Sequence, residues 1–68
     1  RSSFKRGDTI ISIFERKLHD SDFLVRGFTA RVIAQLASPR GRELLNQRLR
    51  LEDNETVIRI LKKELESQ

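Results

Sequence analysis

Cysteine, methionine, tryptophan and tyrosine are all missing from this 68-residue chain, and histidine and proline occur once each. Without cysteine there is no disulfide framework and no thiolate zinc site. A lone histidine, His19, removes most of the remaining metal centres and nucleophile–base pairs, so the sequence predicts no catalytic constellation, no metal and no cofactor. No apolar run approaches the roughly 18 residues of a membrane span, and no short apolar segment leads to a small-residue cleavage site. A soluble, cytoplasmic chain is the expectation. Arg1 stands where a methionine would open a complete chain, which predicts a piece of something longer.

What the chain does have is charge and helical periodicity. Charged residues make up 35% and hydrophobic residues 37%, with a net charge of +4 and a pI near 10.4. One domain of this size buries only about 60% of the surface its unfolded form exposes, so support from a neighbour or partner is expected. Residues 1–7, with Arg1, Lys5 and Arg6, read as a basic, disordered lead-in. Residues 8–68 read as a single helical domain. Ile10, Ile11, Phe14 and Leu18 form one helical stripe, with Asp8 as its N-cap. Leu24, Val25, Phe28, Val32 and Leu36 form a second stripe after the turn residues "HDSD". Ser38 and Pro39 supply an N-cap and a first helical residue for a third helix carrying Leu44, Leu45, Leu49 and Leu51. Val57, Ile58, Leu61 and Leu65 mark a fourth. The expected helices are 8–18, 22–37, 39–50 and 54–66, with Val25, Phe28, Val32, Ile58, Leu61 and Leu65 buried. Truncating a buried Phe28 to Ala would cost about 3–5 kcal/mol. Turns this short make consecutive helices antiparallel neighbours.

The chain also repeats itself. Leu18, Asp20, Asp22, Val25 and Arg26 return as Leu51, Asp53, Glu55, Ile58 and Arg59, each 33 positions later. The same shift pairs Ile11 with Leu44, Leu24 with Val57, Phe28 with Leu61 and Val32 with Leu65, giving two helical-hairpin units at about 8–37 and 39–67. An ordinary four-helix bundle with a fortuitous period is the alternative.

"D-x-D-x-x-V-R" at Asp20–Arg26 and "D-x-E-x-x-I-R" at Asp53–Arg59, each between two amphipathic helices, resemble HEAT-type repeats, and their short length is similar to the HEAT-like units of phycobilisome lyases. The chain departs from that pattern at Gly27 and Phe28, at Gly41 and at Arg48. The resemblance implies an all-α fold of two stacked antiparallel hairpins, a fragment of a right-handed solenoid. It also implies a ladder in which Arg26 and Arg59 pair with the turn aspartates Asp20 and Asp53, Arg26 reaching Asp53 of the following unit. Stacked equivalent positions would further place Glu15 opposite Arg48, an arginine inside an apolar arc that needs a partner if it is away from water.

Taken as chemistry, Asp20 and Asp53 read as structural carboxylates satisfying turn amides rather than as an acid–base pair. His19 reads as a solvated or capping residue. Arg40, Arg42, Arg48 and Arg50 crowd one helix, but at about 100° per residue they point in different directions. Arg40, Arg42 and Arg50 therefore stand as candidate phosphate contacts within a mainly solvated basic surface, and nucleic-acid binding is the weaker alternative. The resemblance implies that the outward face of the second and fourth helices lines a concave side. Gly27, Ala30, Arg31, Ala34 and Gln35 on one helix, with Ile60, Lys63 and Glu64 on the other, are the candidate partner-binding residues, small residues permitting close approach and Ile60 serving as anchor. They would contact a protein partner, further repeats of the same chain or a second copy. The sequence thus predicts a non-catalytic interaction or assembly module; an accessory repeat domain of a chromophore lyase is implied only by the resemblance.

Overall fold

A computed structural model describes residues 6–67, with side chains from Ile10 to Ser67. It is all-helical among the described residues. The four helices are α1 (Arg6–Leu18), α2 (Phe23–Gln35), α3 (Pro39–Leu51) and α4 (Glu55–Glu66). Residues 1–5 of the expected lead-in lie outside the described residues, but Arg6 and Gly7 already belong to α1. Asp8 therefore sits inside that helix rather than capping it, and its side chain lies outside the described residues.

The remaining helix starts follow from side chains that satisfy otherwise unpaired first-turn amides. Asp22 accepts from the Leu24 amide, Ser38 from the Arg40 and Gly41 amides with Pro39 beginning the helix, and Asn54 from the Thr56 and Val57 amides. Of the two carboxylates expected to satisfy turn amides, Asp20 does so within its turn, whereas the cap of α4 is Asn54 rather than Asp53. Asp20 closes a small turn by accepting from the Asp22 amide at 2.8 Å, and Asp53 is exposed beside the capping Asn54. At the end of α2, Ala37 takes a left-handed conformation with φ of 50°. That conformation costs a side-chain-bearing residue about 1 kcal/mol relative to glycine.

α2 occupies the centre of the packing. It touches α1, α3 and, most extensively, α4; α1 touches α3, α3 touches α4, and α1 and α4 do not meet among the described residues. The core comprises Ile11 and Leu18 of α1, Ala30, Ile33 and Ala34 of α2, Leu44 and Leu45 of α3, and Val57 and Leu61 of α4. Phe14, Leu49, Ile60 and Leu65 pack partly against it.

The central helix corrects the expected core. Phe28 is 70% exposed and Leu24 65%, while Val25 and Val32 are only half-buried. The interior face of α2 is instead Arg26, Gly27, Thr29, Ala30, Ile33 and Ala34. A helix with three helical neighbours must let backbones come close, so its inner positions hold small side chains. A Cβ added to Gly27 would lie 2.9 Å from Ile60 Cδ1, and one added to Gly41 would lie 2.9 Å from Ile33 Cγ2. Leu24 and Phe28, the largest members of the visible apolar stripe on α2 besides Leu36, are left outside.

The 33-residue echo also breaks register. α1 and α3 begin 33 residues apart, at Arg6 and Pro39, and Ile11 and Leu44 are both buried as expected. The turn after α3 is 52–54, one residue shorter than 19–22 after α1, so α2 and α4 begin only 32 residues apart, at Phe23 and Glu55. One residue of slip turns a helix by about 100°. Exposed Leu24 and Phe28 are thereby matched to fully buried Val57 and Leu61, and buried Arg26 to exposed Arg59.

Candidate functional site

Two features stand out: a buried polar hub joining the inter-helix turns, and a groove along α2 and α4. Glu52, whose side chain is wholly shielded, is the centre of the hub. Arg26 of α2 donates to it bidentately, Nε to Oε1 at 2.9 Å and Nη2 to Oε2 at 2.8 Å. Arg48 Nε donates to Oε1 at 2.9 Å, and the Asn54 amide to Oε2 at 3.1 Å. The third guanidinium nitrogen of Arg26 donates to the carbonyls of Asp20 and Ser21 at 2.7 and 3.1 Å. Arg48 Nη1 lies 2.7 Å from His19 Nδ1.

This arrangement places four donors on one carboxylate and leaves no buried side-chain polar atom without a partner among the described residues. Burial pushes the Glu52 carboxyl up, but the hydrogen bonds from Arg26, the Asn54 amide and Arg48 outweigh it and hold the group below its ordinary value. The Arg26 guanidinium is raised, chiefly by its bond to Glu52. A planar fork meeting a carboxylate suits this position as a lysine would not.

The hub replaces the expected ladder. Arg26 bonds Glu52, not Asp53, because Glu52 is the turn residue whose side chain points inward while Asp53 faces solvent. Arg59, being one residue out of register with Arg26, is exposed. Arg48 does have the partner its half-buried position demands, in Glu52 and His19 rather than Glu15. Glu15 lies 3.7 Å from Arg40. Glu52 carried a readable signal: an acid four residues after Arg48 on one helical face.

The groove lies on the expected pair of helices. Phe23, Leu24, Gly27, Phe28 and Arg31 of α2 and Thr56 and Ile60 of α4 line a mainly apolar cavity of about 360 Å³. Farther along, Ala34, Gln35, Ala37, Glu64 and Ser67 line a second, more polar one of about 470 Å³. N-terminal residues of both helices share the first cavity and C-terminal residues the second, so α2 and α4 run parallel. Arg31 and Glu64, 4.0 Å apart, stand between the two.

Of the candidate partner-binding residues, Arg31, Gln35 and Lys63 are exposed and Glu64 is half-buried. Gly27, Ala30 and Ala34 are buried, Gly27 lining the first cavity and Ala34 the second. Ile60 is half-buried over Gly27, forming the floor of the first cavity rather than a projecting anchor. The apolar side chains that project at the groove are Phe28, Leu24 and Phe23, although the apolar period places Leu24 and Phe28 on the core stripe.

On α3, Arg40 donates to Glu43 at 3.1 Å, while Arg42 and Arg50 line a shallow groove with Asn46 and Gln47. Among the described residues no three His, Asp or Glu side chains gather as a metal site, and no helix is long and apolar enough to cross a membrane. No protein-family model, no curated protein and no solved structure matches the chain.

Proposed function

We propose that this chain is a non-catalytic interaction module that docks a helical segment of a protein partner along the α2–α4 groove. The observation that carries the reading is the position of Phe23, Leu24 and Phe28: large apolar side chains, substantially exposed, grouped around a cavity with a firm floor of Gly27 and Ile60. Scattered exposed apolar residues need no explanation, but three around one cavity do. A bulky side chain entering between parallel helices is the helix-in-groove mode of recognition. A HEAT-like stack of two hairpins is part of the same proposal. Its support is the pairing of α1 with α3 and of α2 with parallel α4.

A photo-crosslinking residue in place of Phe28 tests the proposal against one in place of Leu51, which is 67% exposed on α3. In native extract the first should yield adducts with one recurrent partner segment of amphipathic helical pattern. Equal yields from both positions, or adducts scattered over unrelated segments, would remove the groove as the docking site.

Nucleic-acid binding keeps one observation in its favour, the shared groove of Arg42 and Arg50. Binding through those two would weaken with salt at a slope of about −2 on double-stranded DNA. The accessory-lyase reading rests on the family resemblance alone.

A further inference from the structure

Cations stand along the length of the groove, while the acids Asp22 and Glu55 are confined to its N-terminal end. Arg31 stands at the α2 edge of the apolar cavity, and Arg59 and Lys63 are exposed one turn apart on α4, flanking Ile60 in sequence. Among the described residues Glu64 is the one acid lining either cavity, half-buried and already facing Arg31. The Arg31–Glu64 contact is long and its arginine 60% exposed, so an incoming group can compete for it. From Thr56 to Ser67 the seam is about 16 Å long at 1.5 Å per residue, the length of three helical turns.

We infer that the partner segment is an acidic amphipathic helix of about three turns, its apolar stripe seated on Phe28 and the adjoining cavity and its carboxylates facing Arg31, Arg59 and Lys63. This rests on the docking role proposed above and names the partner's chemistry. A second copy of this chain fits less well: in a two-fold contact the same patch meets itself, so Arg31, Arg59 and Lys63 would face their own like charges.

The test uses the full chain and two stapled helical peptides of about 11 residues. Both carry the same Leu/Phe stripe; one has Glu on its flanks and the other Lys. Fluorescence anisotropy should show the Glu peptide binding at least about tenfold more tightly at low salt, as three screened charge contacts would give. The preference should shrink as salt rises from about 0.05 to about 0.5 M. The triple variant R31E/R59E/K63E should reverse it, and Phe28→Asp should weaken both peptides; these positions are exposed, and circular dichroism checks that the helices persist. Equal binding of the two peptides overturns the acidic partner and leaves the docking role standing. Binding of neither overturns both. A concentration-dependent dimer, detected by sedimentation and dispersed by Phe28→Asp, assigns the face to a second copy and likewise overturns the inference.

Discussion

The two turns, 19–22 and 52–54, occupy corresponding places in the hairpins yet carry opposite burdens. Glu52 is drawn into the interior by two arginines and an amide, whereas His19, its counterpart 33 residues earlier, is exposed and only touches the end of Arg48. A single carboxylate therefore organises both turns, since Arg26 carries the link on to the carbonyls of Asp20 and Ser21. Removing one residue from the second turn relative to the first rotates everything after it. Similar words in a sequence can thus occupy different environments when the spacing between helices changes, because side-chain direction follows the helix start and not the motif.

The strongest way to break this comparison is Glu52→Ala. It strands Arg26 and Arg48, one nearly buried and one half-buried, without their anion, and should cost about 3–5 kcal/mol, enough to unfold a domain with marginal stability. His19→Ala should cost less than about 1 kcal/mol. Urea titrations followed by circular dichroism would measure both, and equal small losses would mean that the hub contributes nothing to joining the turns.

The second comparison uses Leu61 and Phe28, which the echo equates and the packing separates. Leu61→Ala should cost about 2–5 kcal/mol, since the side chain is fully buried. Phe28→Ala should change stability by less than about 1 kcal/mol, in place of the large loss expected of a core phenylalanine. Comparable losses at the two sites would restore the in-register repeat.

Acid offers a gentler probe of the same hub. The Glu52 carboxyl is held below its ordinary value of 4.5 when folded, so its contribution is present above that pH and is lost as pH falls through the lower folded value. Stability should decline with acidification below about pH 4.5, and a Glu52→Gln variant should decline less steeply over that window. Parallel slopes for the two proteins would show that other carboxylates carry the acid sensitivity.

The smallest effect concerns the link between the hairpins. Ala37→Gly should stabilise the chain by up to about 1 kcal/mol, because glycine takes the left-handed conformation without a Cβ penalty. The gain is reduced by the greater freedom of glycine in the unfolded chain. A loss of thermal stability would show that this helix end is held differently.

Helix number, order and boundaries within two residues were legible from Ser38 and Pro39, from the "HDSD" and "EDN" turns and from the apolar period. Those features act locally, through first-turn amides and backbone sterics, and need no neighbour. Which face of α2 turns inward was not legible. Its bulky stripe and its small-residue stripe both have helical period, and only contact with α1, α3 and α4 selects the small one for close packing. The choice of Glu52 over Asp53 by Arg26 belongs to the same class: both acids are in reach along the chain, and the packed direction of each side chain decides between them. Composition and spacing alone thus determined four helices and their short turns. The core face, the buried carboxylate and the exposed Phe28 groove were decided by tertiary packing, because burial depends on three neighbouring helices that no local stretch of sequence encodes.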